Sequence, residues 1–258
     1  MTNGTDNNNI INCRIPRIRR TRDYHLYDFN SRRYLDLYLD GGLALLGHKY
    51  GRAVLMMKNG LEKGLAASYP GVWEARLLKQ IKLLYPEIAD VVTLFAGSGW
   101  GYPVFRPFEY ESPAADIQFM NTPFELQLPL PGAGTVKVLC ALNACKTRLP
   151  AADPVPQYLY SGLCRAAADL KAFIAEADTS LWSAFDSPLW LRRGPWLYPH
   201  ASGEDYSALF EAFLSRGILI SPDPSRPSCA PYRFTKGEIK PIKEIERGFK
   251  ALSGGASN

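Results

Sequence analysis

Histidine is scarce in this chain, and cysteine occurs without a pattern. Only His25, His48 and His200 are spread over 258 residues, and no Cys-x-x-Cys occurs. A zinc centre needs several nitrogen or sulfur ligands at close spacing, so no metal site is expected. The five cysteines, Cys13, Cys140, Cys145, Cys164 and Cys229, are odd in number and scattered. That argues against a disulfide framework and for free, buried thiols in a reducing cytoplasm. No apolar run approaches the roughly 20 residues of a membrane-spanning helix, so a soluble protein with no membrane partner is expected. Residues 1–9 are polar and Asn-rich without an apolar centre, and are not read as a signal peptide. Charge of one sign is also modest, at a net +5. Arg14, Arg17, Arg19, Arg20 and Arg22 concentrate it near the start. No aromatic-and-basic repeat accompanies them, so the cluster reads as a solvated arm and not as a nucleic-acid surface.

What is present is ordinary globular composition, 47% hydrophobic and 21% charged, enough for one large domain or two small ones. The stretch from Asp28 to Gly51 organises the rest. After a polar turn, Leu35, Leu37 and Leu39 alternate with Asp36, Tyr38 and Asp40, the period of a half-buried strand. Gly41-Gly42 ends it, because glycine enters backbone regions closed to other residues. A hairpin through Asn30-Ser31 is expected, and Ile10 to Arg22, broken by Pro16, should lie extended.

Helical spacing of Val54, Met57, Leu61 and Leu65 predicts a helix from Arg52 to about Ala67. Leu77, Leu78, Ile81 and Leu84 predict a second, over 72–85, stopped by Pro86. Ala89 to Ala96 reads as a buried strand. It runs into Gly97-Ser98-Gly99-Trp100-Gly101, a turn whose backbone N–H groups suit an anion. In the proline-rich middle, 124–130 and 135–142 form a strand pair, and 158–177 a helix. Further on, 188–199 reads as strand, turn, strand. Ser202 caps a helix with Tyr206, Leu209, Phe210, Phe213 and Leu214 inward, ended by Arg216-Gly217. Ile218 to Pro222 is a strand. Thr235-Lys-Gly-Glu238 is a capping-box pattern opening a terminal helix. Trp190, Trp196 and Tyr198 are expected in a core or interface. The class is α/β, with an α+β lobe at the end.

The run Arg33-Tyr-Leu-Asp-Leu, Gly-Gly, Leu-Leu-Gly-His-Lys-Tyr-Gly-Arg-Ala-Val resembles the entry of class III aminotransferases. These are pyridoxal-phosphate enzymes of the aspartate-aminotransferase fold, such as glutamate-1-semialdehyde aminomutase and ornithine aminotransferase. Val91-Val-Thr-Leu-Phe-Ala-Gly-Ser-Gly is similar to the strand leading to their phosphate loop. Tyr206 to Asp223 and Phe234 to Ile239 are similar to their C-terminal small domain. The resemblance covers about 23–101 and 186–252. It divides the chain into a basic arm (1–22), an N-terminal segment (23–101), a shortened middle (102–185), a small-domain segment (186–252) and a tail (253–258).

This resemblance implies a reduced pyridoxal-phosphate-transferase-like fold with most of the large cofactor domain missing. About 90 positions separate Gly99 from Leu189, where the family uses well over twice that length. No Asp-Glu pair occurs for the strand whose aspartate holds the pyridine nitrogen. It further implies Lys146 as the catalytic lysine, Ser98, Gly99, Trp100 and Asp116 as cofactor contacts, and Arg226 and Arg233 as binders of a substrate carboxylate. His48 falls on the family's structural Gly-His turn. Two readings follow. One is a catalytically degenerate homodimer acting as a binding or interaction protein, with no cofactor. The other is an active aminotransferase or aminomutase that uses pyridoxal phosphate on Lys146. A small amine or amino acid is the implied ligand of either.

Overall fold

The computed structural model describes residues 15–48, 52–96, 101–130 and 135–253. In chain order the elements are β1 (Ile18–Arg22), β2 (His25–Asp28), β3 (Arg33–Asp36), α1 (Ala53–Glu62), α2 (Trp73–Leu84), β4 (Ile88–Phe95), β5 (Val104–Phe105), α3 (Ile117–Asn121), β6 (Phe124–Leu126), β7 (Val136–Leu142), α4 (Gln157–Glu176), β8 (Trp190–Arg193), β9 (Trp196–Pro199), α5 (Gly203–Ser215), β10 (Ile218–Leu219), β11 (Ser228–Cys229) and α6 (Lys236–Ser253). Two compact units result: Met1–His48 with Asp178–Asn258, and Lys49–Ala177.

The first unit joins the two ends of the chain. Its four-stranded sheet has the order β1-β2-β3-β10. The first three strands meander antiparallel, and β10 lies parallel to β3 with Ile218 beside Leu35. Gly217 makes that approach possible. Its φ is +75°, and a Cβ there would meet the Arg33 carbonyl oxygen at 3.2 Å, a conformation and a space that suit glycine alone. A second sheet, β11-β9-β8, folds around the tight turn at Gly194. Large aromatic side chains fill the core. Trp182, Phe185, Trp196, Tyr206, Phe210 and Phe213 are essentially inaccessible, each worth about 1.5–3 kcal/mol of apolar transfer. Two buried polar tips find carbonyl acceptors: Tyr206 donates to Ser221 at 2.5 Å and Trp190 Nε1 to Phe185 at 2.7 Å.

The middle unit sets α1, α2 and α4 together with the sheet β4-β7-β6-β5. β4 and β7 pair antiparallel along their whole length, Val91 opposite Cys140. The helices α1 and α4 touch through glycine. A Cβ on Gly60 would lie 2.9 Å from Tyr158 Cβ, and one on Gly162 would lie 2.5 Å from Met57 Cγ. Phe105, Phe119 and Phe124 pack with centroids 5.3–6.0 Å apart at the sheet's other end.

Several expectations are corrected. The period-two run leaves the sheet at Asp36, five residues before Gly41. Leu37 and Leu39 are buried as foreseen; Leu37 still bonds to Leu219 and Cys229 through its backbone, at 2.7 and 2.6 Å, but Leu39 lies in a turn. Leu39, Asp40, Gly41 and Gly42 all have φ between 46° and 88°. The first helix stops at Glu62 and not near Ala67. Gly64, at φ +76°, turns the chain there. The strand beginning at Phe124 ends at Leu126. Ser202 occupies the N-cap position without a side-chain bond to the helix. Asp116 precedes α3 as its cap. The arm is extended in part, since Ile18–Arg22 pairs with β2.

Candidate functional site

Polar groups converge in the first unit around the β2–β3 hairpin. Where β3 ends, the Asp36 carboxylate is 2% exposed. Its Oδ1 accepts the N–H groups of Tyr38 and Leu39, both at 2.9 Å, and Oδ2 lies 2.8 Å from His48 Nε2. An acceptor placed to take two successive N–H groups favours a turn over a continuing strand. That is why the chain bends at Tyr38 and Leu39, where the alternation would have carried it straight on. His48 is fixed from behind, its N–H donating to the Asp23 carbonyl at 2.7 Å. Burial pushes the Asp40 carboxyl above its ordinary range. The charge on His48 pulls it back, and that on Asp36 adds to the rise.

On the same hairpin, His25 Nε2 meets Glu238 Oε1 at 2.5 Å, across 213 positions of sequence. Glu238 also accepts the Thr235 N–H at 2.8 Å, the backward half of the capping box, and Arg33 Nη2 stands 3.6 Å away. Burial raises the Glu238 carboxyl, but the bonds from His25 and Thr235 outweigh it and hold the group below the usual range. A cavity of about 150 Å³ opens beside it, lined by Arg33, Arg216, Gly217, Ile218, Glu238 and Pro241 among others. Arg216 is paired with Glu244 at 3.1 Å. The cavity offers cations and a carboxylate at one mouth, the complement of a small zwitterion.

Of the residues named from sequence, Lys146 and Asp116 belong to the middle unit and Arg226 and Arg233 to the first. Ser98, Gly99 and Trp100 lie outside the described residues. Lys146 is exposed in the loop after β7. Asp116 is half-buried, and both of its oxygens are engaged by Gln118, Oδ1 by the backbone N–H at 3.0 Å and Oδ2 by Nε2 at 3.2 Å. No hydrogen bond or ion pair joins Lys146 to Asp116 among the described residues. Arg226 and Arg233 are exposed in the loops on either side of β11, and Arg226 lies 3.6 Å from Asp223. Reading the sequence did identify Thr235 and Glu238 as a cap and His48 as structural. It missed the partners His25 and Asp36, because contacts spanning 213 and 12 positions leave no periodic trace.

The fold is that of the pyridoxal-phosphate-dependent aminotransferases, an α/β class, in a reduced, aminotransferase-like form. A solved omega-transaminase from Sphaerobacter thermophilus superposes with a TM-score of 0.61 at 12% identity, covering 95% of this chain and 96% of that one. In sequence, the chain is 26% identical over 245 residues to an "uncharacterized protein" of Borreliella burgdorferi, covering 90% of each. It is 32% identical over 84 residues to the glutamate-1-semialdehyde 2,1-aminomutase of Thermus thermophilus, which is 33% of this chain and 19% of that enzyme. No protein-family model matches the chain.

The aminotransferase fold implies a pyridoxal-phosphate site built from a lysine, a ring-nitrogen carboxylate and a phosphate cup. Lys146 and Asp116 as placed do not fit it. The lysine points from an exposed loop, and the carboxylate is spent on a helix end. Beyond 97–100 the chain runs into β5 and not into a helix N-terminus, the usual cradle for phosphate. No helix of the described residues is long and apolar enough to cross a membrane.

Proposed function

We propose that this chain is a catalytically degenerate aminotransferase-like protein that acts by binding. The observation that carries this reading is Asp116, whose carboxylate caps the start of α3, Oδ1 accepting the Gln118 N–H and Oδ2 its Nε2. Amine exchange through a pyridine ring needs a carboxylate free to hold the ring nitrogen. The ligand class is a small amine or amino acid, supported by the mixed charge of the cavity at Arg33, Arg216 and Glu238. Incubating the purified chain with pyridoxal phosphate, then reducing with borohydride and mapping peptides, tests the reading. No lysine should be labelled in stoichiometric yield. A label on Lys146, lost in Lys146→Ala, would establish the alternative of an active enzyme.

The assembly we propose is a homodimer. Support comes from Val54, Leu55 and Leu61 on α1, which remain exposed. Light scattering at several concentrations would show a monomer mass if this is wrong. A reducing cytoplasmic location fits the free thiols of Cys140, Cys164 and Cys229, all buried.

A further inference from the structure

The middle unit holds a cavity of about 420 Å³, and none of its lining belongs to the candidate site described above. Helices α1, α2 and α4 supply it, with Met56, Trp73, Arg76, Lys79, Ser161 and Arg165 among the lining side chains. The volume lies within the range of pockets that enclose small organic ligands, roughly 300–1,000 Å³.

Charge and shape there are lopsided. Arg76 places its guanidinium 4.6 Å from the centre of the Trp73 ring, so a cation and a flat apolar plate stand together. Arg165 binds Asp169 through Nη2 at 2.5 Å, while its Nε is buried and has no hydrogen-bond partner. Asp169 is further occupied by the Arg52 N–H at 3.0 Å. Three cations, Arg76, Lys79 and Arg165, thus line the cavity, and no carboxylate is among its lining residues. Glu74, beside Trp73 on α2, is not among the lining residues; its Oε1 accepts from Gln157 Nε2 at 2.6 Å, and its Oε2 is buried without a hydrogen-bond partner. The Cys164 thiol in the wall, pushed up to about 12 chiefly by burial, brings no negative charge. A buried donor without an acceptor costs free energy that an incoming acceptor would recover.

We propose that this cavity binds a small molecule carrying an oxyanion, phosphate or carboxylate, on a flat apolar body. The oxyanion takes the donors of Arg165, Arg76 and Lys79, and the flat body packs against Trp73. The proposal stands whether or not the chain handles pyridoxal phosphate, because it shares no residue with that question.

Calorimetric titration of the full chain with phenyl phosphate and with benzoate tests it, phenol serving as the uncharged control. At least one anion should bind at a single site and phenol should not, and the tighter of the two identifies the head group. Lys79→Gln, an exposed position whose loss leaves the fold intact, should weaken that anion about tenfold, the equivalent of 1.4 kcal/mol. Arg165→Met should weaken it further. Absence of binding by both anions, or Lys79→Gln binding as tightly as the unaltered chain, would overturn the proposal. If Arg165→Met fails to fold, Lys79→Gln decides alone.

Discussion

Nε2 of His48 stands 2.8 Å from Oδ2 of Asp36, and the other oxygen of the same carboxylate holds two backbone N–H groups. One buried side chain thus closes a turn in which Leu39 and Asp40 take left-handed conformations, costly for residues with a Cβ. Asp36→Ala removes all three bonds. It should destabilise the protein by about 2–4 kcal/mol, combining a charged hydrogen bond with the loss of a cap-like acceptor. Asp36→Asn keeps one acceptor and should cost less. Urea unfolding reads both as a lower midpoint at unchanged slope.

Acid should act through Glu238. Its folded carboxyl lies below the ordinary value, so the unfolded chain takes up the proton first as pH falls. The stabilisation is therefore whole above the unfolded glutamate value, about 4.3, and is lost as pH drops through the depressed folded value. Glu238→Gln should flatten this part of the stability profile, measured by urea unfolding between neutral and acid pH. An unchanged profile would show that His25 and Thr235 do not hold the charged form.

Close helix contact makes Gly162 and Gly60 sensitive to a single methyl. Gly162→Ala would set a Cβ 2.5 Å from Met57 Cγ and 3.2 Å from Leu130 Cδ1. Gly60→Ala would press on Tyr158 Cβ at 2.9 Å. Each should cost about 1–3 kcal/mol by overpacking, even though alanine is the better helix former. The flexible Met57 can yield, so Gly60→Ala should cost more. Thermal unfolding of the pair checks the order.

Thiol reactivity should follow burial. Cys145 is half-exposed, whereas Cys140 and Cys229 are fully buried, and burial raises the Cys140 thiol well above its ordinary value. In a Cys13→Ser background, a thiol reagent should modify Cys145 first and Cys164 slowly. Cys140 and Cys229 should react only when the protein unfolds. Mass spectrometry of partially labelled chains gives the sequence of events.

Elements with their own local code were legible. The helix over 157–176 and that over 203–215 show in their apolar spacing, and Gly217 and Glu238 mark ends by chemistry that acts within a few residues. The strand pair 124–126 and 136–142 was visible through alternation around Pro131-Gly-Ala-Gly134. Legibility failed where a side chain overrode the pattern. Leu35, Leu37 and Leu39 alternate as a strand should, but the Asp36 carboxylate takes the N–H groups of Tyr38 and Leu39. Asp116 likewise turns its short polar side chain back to cap the helix that follows it. The candidate site was least visible of all, since His25 finds Glu238 and Arg33 approaches it only after the whole chain has folded.

Ile218 lies beside Leu35 in adjacent parallel strands, and this has a consequence for synthesis. Residues 49–177 emerge from the ribosome as one continuous stretch and can collapse at once. The hairpin made first must wait with one edge bare until nearly two hundred further residues have been added. Closing so wide a loop is slow, and an unpaired edge invites wrong partners meanwhile. Newborn chains stalled before residue 218 should therefore depend on chaperones far more than the finished protein does.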